Sequence, residues 1–163
     1  MPIRQSRSKS FAEVPLLQCS FERSRTIRET GVFEKGPMKA LTIQQPWASL
    51  IADHRKKIET RSWSTPHRGP IAIHAAMRSL DADLAVLCGY EPNDLPRGAV
   101  LCIAQLVAIE RVEEVRGDLL EQELLFGNYG DGRYAWFLEN VEQFERPIPA
   151  RGALGLWEWN NKP

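Results

Sequence analysis

Lys56, Glu59 and Arg61 place an ammonium, a carboxylate and a guanidinium within six residues of one another, with Trp47 upstream and Trp63 just downstream. From Lys57 to Trp63 the pattern alternates as in a half-buried strand, so Lys57, Glu59, Arg61 and Trp63 share one face and Ile58, Thr60 and Ser62 the other. Lys56 has the other parity or stands where the strand begins. A core-facing strand carries Ile, Val or Leu on its buried side. Here the heavier side chains of one face are polar or aromatic, as expected of a strand that lines a wet cleft. The competing reading is an edge strand whose charges only face water and discourage edge pairing.

A point charge at Lys56 and a planar fork at Arg61 suit a phosphate or the carbonyl edge of a nucleobase, and Glu59 can accept from an exocyclic amine. Trp47, Trp63 and Tyr134 offer flat surfaces for a stacked base. A second chemistry is open to the same residues, because Lys56 beside Glu59 can act as a general acid/base pair on water. Against both stands a plain structural ion pair between Glu59 and Arg61. Trp47, next to Ala48 and Leu50 on a helical face, reads as a core anchor. His74, in the alternating run Pro70 to Ala75, is expected to flank the cleft as a hydrogen-bonded strand residue.

The elements that must hold these residues are strands with short helices. Ala40 to Ile43 reads as a strand, and Pro46 suits the first turn of a helix with Trp47, Leu50 and Ile51 on its apolar face. Leu80 to Leu87 has helical spacing, and Ala99 to Ile109 reads as a central strand, with Val112 and Val115 extending or following it. Asp118 can cap a short helix towards Phe126. Gly127 to Arg133 reads as a flexible glycine-rich loop, and Tyr134 to Val141 and Leu154 to Trp159 as closing strands. Without regular strand-helix alternation a parallel α/β sheet is excluded, which leaves a small barrel.

Twenty-one basic and 21 acidic residues cancel in 163, so no overall positive field attracts nucleic acid, and any such contact must be local. Cys19, Cys88 and Cys102 are unpaired in number and widely spaced, which excludes a disulfide framework or CxxC metal site and points to thiols in a reducing compartment. His54, His67 and His74 lack the spacing and acidic partners of a zinc site, and no cofactor is implied. No apolar run is long enough to span a bilayer and no secretory leader is evident, so the expected location is cytoplasmic. Residues 1–37 carry seven Lys or Arg and four Glu with little apolar content, and read as a disordered leader or an upstream start assigned too early. Residues 38–163 read as one domain.

The window His54-Arg55-Lys56-Lys57-Ile58-Glu59-Thr60-Arg61 resembles the G-x-K-x-x-E-x-R fingerprint of the ASCH (activating signal cointegrator-1 homology) family, with His54 where the family has glycine. Ala40 to Ile51, Arg68 to Ala75, Arg97 to Val100 and Gly152 to Trp157 also look like this family, in order and spacing. The resemblance implies a mainly β fold, a small PUA-like β-barrel with short peripheral helices. It also implies a ligand cleft between helix and barrel, lined by Lys56, Glu59 and Arg61 with Trp63 and His74 beside them. An RNA or a nucleotide-like small molecule is the implied partner. Some members resemble amidohydrolases of acylated nucleosides such as N4-acetylcytidine, which would make Lys56 and Glu59 catalytic. Glu59 stands where that subgroup has its threonine nucleophile, so the mechanism does not carry over intact. A protein-interaction module in transcription or translation regulation is a third reading.

Overall fold

The computed structural model describes residues 36–160, and the readings of the leader and of Cys19 lie outside the described residues. The chain runs β1 (Pro37–Gln45), α1 (Trp47–Ala52), β2 (Ile58–Arg61), β3 (Gly69–Leu80), α2 (Ala82–Leu87), β4 (Ala99–Arg111), α3 (Val112–Val115), α4 (Glu121–Leu125), β5 (Tyr134–Pro149) and β6 (Leu156–Asn160). Six strands form one sheet in the order β2-β5-β4-β3-β1-β6. Among the described residues only the β1–β3 pair is parallel. The expected mainly β architecture with short peripheral helices is present.

Apolar, β-branched sequence makes β4 the spine of the sheet: Ala99 to Ala104 is buried on both faces, and long neighbours flank the strand on either side. The β4–β5 ladder shifts register three times, between Val100 and Cys102, Ile103 and Gln105, and Leu106 and Ala108. Such bulges bend a ladder and increase its twist, which curls the sheet over its core. Alternating side chains divide between two apolar clusters. Leu41, Ile43, Ile71, Ile73, Leu106 and Trp136 join the α1 residues Ala48 and Ile51 in the main core. Ala40, Ala72, Val100 and Trp159 fill the other face. At six residues α1 is too short to be stable alone and is held by burial of Leu50 and Ile51, each contributing about 1.5–3 kcal/mol.

The curl brings β2 back towards β1 without a ladder joining β2 to β6 or β1 among the described residues. A side chain spans the opening instead, where Arg61 on β2 donates through Nη2 to the Thr42 carbonyl on β1 at 2.8 Å.

Two local expectations, at α2 and at Asp118, differ from the structure. β3 continues to Leu80 and Asp81 caps α2 by accepting from the Leu84 N–H at 2.9 Å, so the helix begins later than its spacing suggests and leaves Leu87 83% exposed. Of the two readings for Val112 and Val115 the structure shows the second, since they follow β4 directly, in α3. Asp118 sits in a short 3-10 turn and caps nothing, α4 starting at Glu121. Cys102 is buried, which pushes its thiol up to about 12, while Cys88 is partly buried. No helix among the described residues is long and apolar enough to cross a membrane.

Candidate functional site

The cleft depends on how the chain leaves α1. The buried Gln45 side chain fixes the helix start: its Oε1 accepts from the Ser49 N–H at 3.1 Å, and its Nε2 donates to Ser49 Oγ at 2.9 Å and to the Pro96 carbonyl at 2.6 Å. The helix ends at Ala52, and His54 beyond its cap takes a left-handed φ of 61°. This is the position where the ASCH fingerprint has glycine, and the geometry supplies the reason, since glycine enters that region at no steric cost. The N–H groups of Arg55 and Lys56 then both reach back to the Leu50 carbonyl, at 2.9 and 3.0 Å, and Lys56 is carried inward.

Only 1% of Lys56 is exposed. Its Nζ donates to the Ile58 carbonyl and lies 3.6 Å from Glu123 Oε1 and 4.0 Å from Glu59 Oε2. Burial lowers its pKa below the ordinary value and outweighs the raising effect of the two carboxylates. Glu123, from α4, is fully engaged: it accepts from the N–H groups of Lys57 and Ile58 at 3.0 and 3.2 Å and from the Tyr129 hydroxyl at 3.1 Å. Burial and this carboxylate hold the Tyr129 phenol well above its usual range. The start of β2, α4 and the following loop are thereby tied around one amine.

Above this network lies a cleft of about 280 Å³, walled by Thr42, Ile43, Gln44 and Trp47 on one side, Glu59, Thr60 and Arg61 from β2, and Phe126, Gly127, Asn128 and Arg133 from the far loop and its end. Glu59 Oε1 is 3.3 Å from Arg61 Nε. Arg133 anchors Nη2 on the Thr60 carbonyl at 2.9 Å and has no carboxylate within ion-pairing distance among the described residues. One carboxylate against two guanidinium groups leaves the lining with a positive excess.

The strand periodicity therefore places Glu59 and Arg61 together, both half-buried, with Ile58 and Thr60 buried on the other parity. Lys56 does not line the cleft; it supports Glu59 from beneath. Trp63 lies past the end of β2 and packs edge-on against Trp136, ring centroids 4.8 Å apart, in the main core. His74 is buried, with Nε2 3.0 Å from the Ala150 carbonyl and its ring against Trp157, and is likewise absent from the cleft lining. Trp47 serves both readings, packing on the core while lining the cleft. Tyr134 lies under the Arg111 guanidinium, 4.6 Å from its ring centroid.

Arg133, Thr42, Gln44 and Asn128 were not expected at the site. The loop expected to be flexible is pinned: Arg116 donates to the Tyr129 carbonyl at 3.0 Å and to Asp131 at 2.9 Å, and Glu113 accepts from the Gly132 N–H. Gly127 has no room for a side chain, because a Cβ there would meet the Tyr129 ring at 2.8 Å.

A family model for the ASCH domain matches residues 41–148, and the chain belongs to this family. Activating signal cointegrator 1 of Homo sapiens is 29% identical over 133 residues, and its Mus musculus counterpart 28% over 136. The matches cover 75% of this chain but 22% of each of those proteins, so the chain spans about a fifth of the curated relatives' length. The crystal structure of ASCH from Zymomonas mobilis is 21% identical, with a TM-score of 0.47 and coverage of 69% of this chain and 73% of that one.

Proposed function

We propose that this ASCH domain binds RNA or a nucleotide-like ligand in the cleft lined by Glu59 and Arg61. The observation that carries the reading is the composition of that cleft: two guanidinium groups, one carboxylate, neutral donors and acceptors at Thr42, Gln44 and Asn128, and the indole of Trp47 on one wall. Guanidinium groups recognise phosphate or base carbonyls, a carboxylate recognises an exocyclic amine, and an indole gives a base a surface. Lys56 acts indirectly, by fixing Glu59 and the β2 start.

The test is a titration with nucleosides, nucleotides and short RNAs at rising salt. Affinity should fall as salt rises, and Arg61→Ala should weaken binding by about tenfold or more, against a smaller loss for Trp47→Phe. Absence of binding, or equal losses in the two variants, would contradict the proposal.

One observation favours an enzymatic reading beside it. A buried amine of lowered pKa 4.0 Å from a cleft carboxylate is the kind of perturbed pair that acid/base catalysis uses. In that case Glu59 takes the proton of a water that adds to the carbonyl of an acylated nucleoside, and the amine leaves with a proton. Acetate release from N4-acetylcytidine that disappears in Glu59→Gln would put this reading first.

A further inference from the structure

We infer that Arg133 and Arg61 form a two-guanidinium clamp for a phosphate group, and hence that the cleft takes phosphorylated nucleosides in preference to free ones. The inference rests on the nucleotide reading above and adds to it the part of the ligand that is held and the residue that holds it.

Each guanidinium is fixed in place by one Nη2 bond to a strand carbonyl, Arg61 to Thr42 at 2.8 Å and Arg133 to Thr60 at 2.9 Å. A fork anchored at one corner loses less side-chain entropy when its remaining donors engage a ligand. Those donors are in excess. Among the described residues Arg61 Nε already faces Glu59 Oε1 at 3.3 Å, whereas the buried Nε of Arg133 has no acceptor. The Nε atoms are themselves enclosed, so a ligand oxyanion seated in the cleft would meet the outer Nη donors of the two forks, and Arg133 is the fork with no anion of its own among the described residues.

Charge fits the same occupant. Glu59 lies 3.3 Å from Arg61 and offsets it, whereas no carboxylate among the described residues pairs with Arg133, so the clamp carries one positive charge in excess and matches a phosphodiester or phosphomonoester oxyanion. An uncharged nucleoside would leave that excess unanswered. The phosphate can belong to a free mononucleotide or to the backbone of an RNA, and both present the same oxyanion to the forks.

The experiment is calorimetric titration of the full chain with the four ribonucleosides, their 5′-monophosphates and a mixed-sequence hexaribonucleotide. The native chain should bind a monophosphate about tenfold or more tightly than its parent nucleoside. In Arg133→Gln that ratio should fall towards one, and the slope of log affinity against log salt should become shallower by about one unit for the hexanucleotide. Arg133→Lys, which keeps the charge and loses the fork, should fall between. Tight binding of the hexanucleotide with little gain for the monophosphates assigns the phosphate to an RNA backbone, and a full gain for monophosphates assigns it to a free nucleotide. Equal binding of nucleosides and monophosphates by the native chain, with a hexanucleotide that binds no more tightly than either, overturns the clamp while leaving the nucleotide reading in place. Binding of none of these ligands overturns both. The native comparison needs no variant, so it stands even if Arg133→Gln does not fold.

Discussion

Two hollows of similar size lie on this domain, and they differ in charge. The cleft beside β2 holds about 280 Å³ and is lined by Arg61, Arg133 and Glu59. The other, about 360 Å³, lies beyond the end of α1 and is lined by Asp53, Glu91, Asp94 and Glu145 with no basic residue. Their polar groups also differ in satisfaction. In the acidic hollow Asp53 accepts from the Tyr90 hydroxyl at 2.6 Å and from Gln143 at 3.2 Å, whereas beside the cleft the buried Nε of Arg133 has no acceptor among the described residues. A chain with zero net charge has thus sorted its charges, and net charge alone says nothing about where an anion settles. Volume alone would point to the acidic hollow.

The largest effects that sharpen this contrast are expected under the cleft. Glu123→Ala removes the acceptor of two backbone N–H groups and the Tyr129 hydroxyl and a partner of a buried amine, and should lower stability by about 3–5 kcal/mol in denaturant unfolding. Lys56→Met, which keeps the volume, should cost less, about 2–3 kcal/mol. Asp53→Asn in the exposed hollow should cost about 1 kcal/mol or less. Equal losses at Glu123 and Asp53 would break the comparison. The lysine also gives a pH signature. Its folded pKa lies below 10.5, so at alkaline pH the unfolded chain retains a proton that the folded chain has released. The native chain should therefore gain stability relative to Lys56→Met as pH rises towards 10.5, and a relative loss over that window would contradict the assignment.

A smaller effect is expected at the turn that follows α1. His54 holds a left-handed conformation that is unfavourable for a side-chain-bearing residue by about 1 kcal/mol, while glycine there has more unfolded-state freedom to lose. His54→Gly should then change stability by no more than about 1 kcal/mol, upward if at all, and His54→Val should lower it by about 1–2 kcal/mol. Thermal melts of the two variants decide it, and a tolerated valine would contradict the role given to this turn.

What the sequence showed and concealed follows contact distance along the chain. The alternation of Glu59 and Arg61, the central run of β4 and the fingerprint around Lys56 are local patterns, and all were legible. Arg133 was not, because it reaches the cleft through the Thr60 carbonyl, 73 residues away, and nothing near it in sequence marks that contact. Glu123 was concealed for the same reason, its partner N–H groups lying 65 and 66 residues distant. The glycine-rich loop read as flexible because its composition is that of a loop, yet Tyr129 within it is buried at 7% exposure and ties it down. Trp63 carries the parity of the cleft face, but β2 ends at Arg61 and the chain then turns the indole onto Trp136.

The most direct test of the central claim is to locate a nucleoside 5′-monophosphate on the full chain by amide chemical-shift mapping. The account predicts perturbations concentrated at Thr42 to Gln44, Glu59 to Arg61, Asn128 and Arg133, and none at Asp53, Tyr90 or Gln143. Shifts centred on the acidic hollow, or scattered along the surface lysines and arginines, would contradict it.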